Sequence, residues 1–434
     1  MNSSQIYHRS LIRLVVLNAI SKPIWILGID RWVQNEVGLV AYGGYFSVWG
    51  LTLTAGFLLD LGLTTLVQRE GASKESSSRD LAGLFWMKTS LLILYFLSIA
   101  LIGCFNPQLS TNWLWGIAII QALNSLYVYF RAWVTAAQDY SFDVWFSVLD
   151  KLLLIPICIL WLSGIWPSLP ITLDVFIHLQ IGSLLVSVGV ILSYFFQKRI
   201  PIAGRFDLSL SRMRMAWPYA LIVLLMSAHT RLDGFWLTQW SRSGNWEAGR
   251  YAAGYRLLDA ANMFGYLVAS FLLPYLSRHL ANETLVRSAI RTARIGLLLF
   301  SVSLATLVAC FAPSLSALLY PGDANSVASI LPLLFGSLLG YSMIHVYGTV
   351  MTARGDLSLF QAIIAGALLL HLVLSFIWIP EMGAMGAARS ALLSQVLAGS
   401  ALTYFVHRRS GDIQPYASYI VIIFTTCLIW FFHH

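Results

Sequence analysis

The strongest constraint in this sequence is the recurrence of apolar runs about 20 residues long, separated by short polar breaks. A bilayer core about 30 Å thick is crossed by about 20 helical residues, each advancing the axis by about 1.5 Å. That ruler divides the 434 residues into spans near 9–32, 40–67, 81–105, 112–135, 141–163, 173–196, 215–240, 249–276, 289–312, 325–350, 357–379, 384–406 and 415–432. Composition agrees: 58% of the residues are hydrophobic and only 11% charged, against about 25% charged in soluble domains. A cytosolic enzyme, a secreted domain and a disordered chain are all excluded by that balance. The first apolar run, from Leu11, continues into Pro23, Trp25 and Asp30 and is expected to be a retained helix, not a cleaved leader.

Lysine plus arginine number 27 against 19 acids, a net charge of +8. In a soluble chain this would suggest nucleic acid; between apolar spans it reports orientation instead. Arg9, Arg69/Lys74/Arg79, Lys198–Arg214, Arg278–Arg294, Arg354 and Arg408/Arg409 fall on one side. The opposite loops 106–111, 164–172 and 313–322 hold no Lys or Arg, and only Arg31, Arg242 and Arg250 interrupt the pattern. The N-terminus is therefore expected in the cytoplasm, with His433 and His434 outside. Every loop is short, so no extramembrane catalytic domain is expected. Cys104, Cys158, Cys310 and Cys427 lie in apolar runs without metal-ligand spacing and read as buried thiols. Neither a metal nor another cofactor is implied.

Similar segments recur at an offset of about 210 residues, the kind of internal repeat from which transporters are built. VAYGGYF (40–46) opens the second span and RYAAGYR (250–256) the eighth; QDYSFDVWF (138–146) resembles ARGDLSLF (353–360). The expected organisation is two pseudo-symmetric lobes of six helices, 1–197 and 215–409, joined by a basic linker, 198–214, with an accessory helix in 410–434. Transporters with such repeats bind substrate near the midplane and rock one lobe against the other.

Ionisable groups inside the bilayer cost about 2.5–3.5 kcal/mol each on insertion scales, so each is a site candidate. Lys22 stands deep in span one beside Pro23, which removes a backbone donor and is expected to kink the helix. It either lines a hydrophilic cavity or pairs with an acid such as Asp60 or Asp150. Asp30 and Arg31 close the same span, as interfacial anchors or as functional charges. Arg256 and Asp259 share a face of span eight, Arg231 and Asp233 diverge on span seven, and Asp150 and Lys151 are adjacent in span five. Asp60 in LLDLGL serves as a gate or packing contact met by Arg69, or as an ion-coupling acid. His178, His229, His345 and His371 are isolated in their spans and read as bundle residues satisfied by hydrogen bonds. The intramembrane charges lean basic, through Lys22, Arg31, Lys151, Arg231 and Arg256, which suits an anionic headgroup such as a diphosphate. Asp60, Asp150, Asp233 and Asp259 are the candidates for gating or ion coupling.

The stretch SKPIWILGIDRWVQNEVGLVAYGGYF, the following LLDLGLTTLVQREGA, YAAGYRLLDA of span eight and IPEMGAMGAARSALLSQ (379–395) resemble the oligosaccharide flippases. These form the polysaccharide-transporter branch of the multidrug/oligosaccharidyl-lipid/polysaccharide exporter superfamily. The resemblance implies an all-α polytopic protein with two lobes in a V-shaped exporter fold, in a bacterial cytoplasmic membrane. It implies movement of a polyprenyl-diphosphate-linked oligosaccharide to the outer leaflet for surface polysaccharide synthesis. Lys22, Arg31 and Arg256 occupy the motif positions to which a cavity-lining role would carry over, and Asp233 resembles an acidic position near span eight. The implied partners are the sugar lipid, membrane lipids and a coupling ion. A peptidoglycan-precursor flippase and a multidrug cation exporter of the same fold are the alternatives. A polymerase or ligase would need a substantial outer loop bearing basic catalytic residues, and no loop here is long enough.

Overall fold

A computed structural model describes residues 13–67 apart from 15, 19 and 65, and residues 84–137, 139–199 and 210–410. Among the described residues there is helix and turn but no strand. Contacts divide the chain into two compact units. One runs to Leu224 without Gly38–Ser47; the other consists of Gly38–Ser47 and the chain from Leu225 onward.

In the first unit, a helix carrying Lys22 widens after Pro23 into a π-helix, Ile24–Asp30, and continues as α1 (Arg31–Ala55). The expected kink beside Lys22 thus takes the form of a widened helical turn that begins where proline withdraws a donor. The expected loop between spans one and two is instead a sharp break inside α1 at Gly38, whose φ of 79° lies outside the helical range. A second departure follows: span two does not run unbroken to residue 67. It tightens into a 3₁₀ turn, Gly56–Leu59, and turns at Asp60, Leu61 and Gly62, where Leu61 has φ 41° and Gly62 φ 82°.

Asp60 caps the helix that resumes there, accepting from the Thr64 backbone N–H at 3.1 Å and from its hydroxyl. Breaking a helix strands its last carbonyls. One is met by Lys88 on α2 (Leu84–Phe105), wholly buried, whose Nζ donates to the Leu59 carbonyl at 2.7 Å and to Ser125 Oγ at 2.5 Å.

Helix α3 (Thr111–Ala136) starts on a Ser110 cap; span five is split into α4 (Tyr140–Phe146) and α5 (Leu149–Leu162); α6 (Leu173–Lys198) starts on a Thr172 cap. The split has the same logic as the first, since Tyr127 donates to the carbonyl of Phe146, the last residue of α4, at 2.6 Å. Ser183 on α6 donates to the carbonyl of Asp150, in the first turn of α5, at 2.7 Å. Arg131 ties α3 to α4 through Asp143 at 3.0 Å. Tyr127, Phe130, Trp133, Tyr194 and Phe195 belong to the core of this unit.

Span seven is also bent: α7 (Leu210–Arg231) meets α8 (Asp233–Trp240) at 48°. The long α9 (Gly244–His279) and α10 (Glu283–Leu319) follow. Span ten is assembled from α11 (Ala324–Ala328), α12 (Leu331–Met343), a π-helix Ile344–Gly348 and α13 (Thr349–Arg354). It is the buried centre of the second unit, with every residue of α12 buried. Helices α14 (Leu357–Met382) and α15 (Ala384–Ser410) complete the described chain.

Among the described residues, eight helical segments are long and apolar enough to cross a membrane, or nine counting the α7–α8 pair. The chain is an all-helical, multi-pass membrane protein. Helices α1 and α15 have the length of a span without the apolarity. The reason for α15 is local: Ala384, Ala387, Ala388, Ser390, Ala391 and Ser394 are buried against protein, and a helix sheltered by other helices can be small and polar rather than lipophilic. The expected thirteenth span, loop residues Arg69, Lys74 and Arg79, and 200–209 of the linker lie outside the described residues.

Candidate functional site

The bend at Leu232 places Arg231 and Asp233 in different surroundings. Helix α9 serves both through one face, since Tyr251, Tyr255 and Asp259 recur every fourth residue. Arg231 donates through both terminal nitrogens to the Asp259 carboxylate, at 3.0 and 3.2 Å, and lies 5.5 Å over the Tyr255 ring. That bidentate geometry fixes the cation as well as neutralising it.

Asp233, 3% exposed, accepts from the Tyr251 hydroxyl at 2.5 Å and bonds His371 Nε2 at 2.7 Å. His371 Nδ1 lies 3.2 Å from Ser394 Oγ, which in turn bonds His229 Nε2 at 2.9 Å. The two imidazoles meet edge to face at 5.3 Å, and Gln395 closes the chain on His229 Nδ1 at 3.5 Å. A carboxylate and two imidazoles are thus strung on one buried line, contributed by α7, α8, α14 and α15. Such a line can take up a proton and pass it between ring nitrogen and carboxylate without exposing either to lipid. Among the described residues, no group of three or more His, Cys, Asp or Glu side chains could hold a metal ion.

Asp259 is engaged by Arg231, while Arg256 donates from Nε to the Tyr42 hydroxyl at 3.2 Å and lies 5.5 Å over Phe46. Asp150 pairs with its own neighbour, Lys151, at 3.1 Å. Adjacent helical side chains diverge, but the long lysine stem folds back across that angle, and its ammonium sits 4.6 Å over the Trp25 ring. This pair borders a cavity of about 130 Å³ in the first unit that is also lined by Gln121, Asn124 and Gln180. Lys22 is exposed, Arg31 is half-buried and Asp30 is buried. His229 and His371, read as isolated, are joined through Ser394, and His345 bonds Asn262 at 3.0 Å. Lys151 and Arg231 are each matched to an acid.

Sequence reasoning missed Lys88 and the Asp233–His371 contact. Lys88 stands near the start of its apolar run, where an interfacial lysine is ordinary. Asp233 and His371 are 138 residues apart, beyond any local pattern.

No family model and no curated protein sequence matches this chain. Solved structures do resemble it along nearly its whole length. A MATE transporter in complex with MaL6 has a TM-score of 0.64 at 14% identity, covering 93% of this chain and 96% of its own. The lipid II flippase MurJ, in an inward closed conformation, has a TM-score of 0.63 at 14% identity, covering 97% and 98%. A MOP superfamily transporter from Pyrococcus furiosus, described as having a binding pocket of reverse polarity, has a TM-score of 0.65 at 14% identity, covering 92% and 95%. The chain thus has the fold shared by the MATE transporters, the MurJ lipid II flippase and their MOP superfamily relatives.

Proposed function

We propose that this chain is a flippase that carries a polyprenyl-diphosphate-linked oligosaccharide across a bacterial cytoplasmic membrane. Two six-helix lobes would alternate access, with the N-terminus in the cytoplasm. The observation that carries this reading is the exporter fold, matched over 97% of the chain to a lipid flippase, in a sequence whose spans hold the cations Lys22, Arg31, Lys151, Arg231 and Arg256. In this mechanism Lys22, Arg31 and Arg256 meet the diphosphate and replace its hydration with fixed positive charge, while the polyprenyl tail stays in lipid. Arg231, clamped by Asp259, ties span seven to span eight, and Lys151, paired with Asp150, reaches Trp25 of span one. The Tyr251–Asp233–His371–Ser394–His229 line takes up and releases a proton as the lobes exchange access, giving transport its direction. Asp60, engaged with Thr64, shapes the turn that ends span two.

A peptidoglycan-precursor substrate is the same chemistry on another sugar, and which sugar lipid accumulates on depletion separates the two. The MATE likeness and the acid partners of Lys151 and Arg231 favour, as a second reading, export of a cationic drug. The experiment is surface-polysaccharide synthesis in cells that depend on this chain. A charge-assisted hydrogen bond to phosphate is worth about 1.5–3 kcal/mol, so Lys22→Ala and Arg256→Ala are each expected to lower the rate about tenfold or more at unchanged membrane yield. Full rates in both variants would reject the diphosphate role.

A further inference from the structure

The second unit contains a larger cavity, about 620 Å³, that shares no lining residue with the buried Asp233–His371 line. Five arginines line it, Arg287, Arg291, Arg294, Arg354 and Arg409, against the single acid Glu283. They come from three places in the sequence: the first turns of α10, the end of α13 and the end of α15. On α10 the spacing 287, 291, 294 sets three guanidinium groups along one face. Membrane orientation asks for arginines near helix ends on the cytoplasmic side. It does not ask that those of three separate helices converge on one cavity, where like charges repel.

Arg287 pairs with Glu283 at 3.1 Å and Arg409 with Asp356. Arg294 reaches the Tyr347 hydroxyl at 3.5 Å, but its Nε is buried and has no hydrogen-bond partner among the described residues. Tyr347 is itself fixed by His407 Nε2 at 2.8 Å, and it projects from the π-helix Ile344–Gly348. Single π turns inside spanning helices are often found at functional sites. The cavity thus offers planar donor forks, an unmet buried N–H and a hydroxyl–imidazole pair along one wall. Its volume falls within the about 300–1,000 Å³ that enclose small-molecule ligands.

We propose that this cavity is a binding site for a phosphate-bearing anion, with Arg291 and Arg294 as its principal donors. A phosphate or diphosphate group supplies several acceptor oxygens and enough negative charge to relieve the arginine repulsion, and guanidinium forks match it in pairs. The group can belong to an anionic phospholipid of the adjoining leaflet or to a soluble phosphate ester. The site lies wholly in one unit and does not depend on the flippase reading.

The test uses the full chain in nanodiscs of phosphatidylcholine, titrated with inorganic pyrophosphate by calorimetry, and the same chain in nanodiscs containing cardiolipin. Saturable pyrophosphate binding in both lipids assigns the site to soluble phosphates. Pyrophosphate binding that cardiolipin abolishes assigns it to the lipid headgroup. In either case Arg291→Ala/Arg294→Ala is expected to weaken binding about tenfold or more, and Arg278→Ala, an exposed arginine outside the lining, to leave it unchanged. Should the double variant fail to fold, phenylglyoxal labelling of the unaltered chain gives the same answer, with Arg291 and Arg294 protected by pyrophosphate or cardiolipin. Absence of pyrophosphate and cardiolipin binding, binding indifferent to the double variant, or equal labelling with and without these ligands would overturn the proposal.

Discussion

Replacing Asp259 by alanine is expected to destabilise the second unit by about 3–5 kcal/mol, because it leaves Arg231 charged and without its carboxylate inside the bundle. The pair is mostly enclosed, with side-chain exposures of 21% for Arg231 and 16% for Asp259, and it is joined by two parallel hydrogen bonds. Arg231→Ala alone is expected to cost less, since the aspartate it abandons can take a proton and become neutral. The informative variant is the double replacement Arg231→Met/Asp259→Leu, which removes both charges and fills the space with apolar atoms. It is expected to recover most of the loss, as replaced buried ion pairs often do. Chemical unfolding of the purified protein in detergent measures all three. A double replacement as unstable as Asp259→Ala would show that the contact does more than neutralise charge.

A comparable loss is expected from Gly43→Leu or Gly249→Leu. A β-carbon at Gly43 would lie 1.8 Å from the carbonyl oxygen of Asn245, and one at Gly249 would lie 2.0 Å from that of Leu39. The obstructing atoms are backbone, so no rotamer change relieves the clash and the helices must part. Overpacking of this kind exceeds the usual cost of about 1–3 kcal/mol, and the folded protein is expected to disappear from membrane extracts. Gly296→Ala and Gly366→Ala are the controls: nothing lies within 4 Å of either added carbon. They are expected to be neutral or slightly stabilising, by up to about 1 kcal/mol, through helix propensity. Normal yields from Gly43→Leu would contradict this packing. The contact has a sequence counterpart, since Gly43 belongs to VAYGGYF and Gly249 directly precedes RYAAGYR, the segments whose likeness suggested a repeat.

The spans were legible because lipid demands long apolar helices wherever they face it, and that demand is written residue by residue. Breaks inside spans were less so. Pro23 announced the π turn after Lys22 and Gly38 falls in the expected gap between spans one and two, whereas Asp60–Gly62, Ser147–Val148 and Leu232 lie within runs whose hydropathy gives no sign of a bend. At Asp60–Gly62 and Ser147–Val148 the cause is tertiary, in that Lys88 and Tyr127 on other helices take up the freed carbonyls. The charged residues could be listed from the sequence but not paired. Arg231 meets Asp259 across 28 positions, Asp233 meets His371 across 138, and Arg256 meets Tyr42 across 214. Periodicity places residues on a face of one helix and is silent about which helix lies opposite. The arginines of the larger cavity illustrate the same limit, since the sequence read them as markers of orientation and only the fold gathers them.

We propose that this chain moves a diphosphate-linked lipid between leaflets. The direct measurement is leaflet exchange of a fluorescent polyprenyl-diphosphate sugar in liposomes holding the purified chain, read by quenching with an impermeant reductant. Faster exchange than in protein-free liposomes, for the diphosphate lipid but not for an uncharged polyprenol sugar, is the predicted result. No acceleration, or equal acceleration of both lipids, would contradict it.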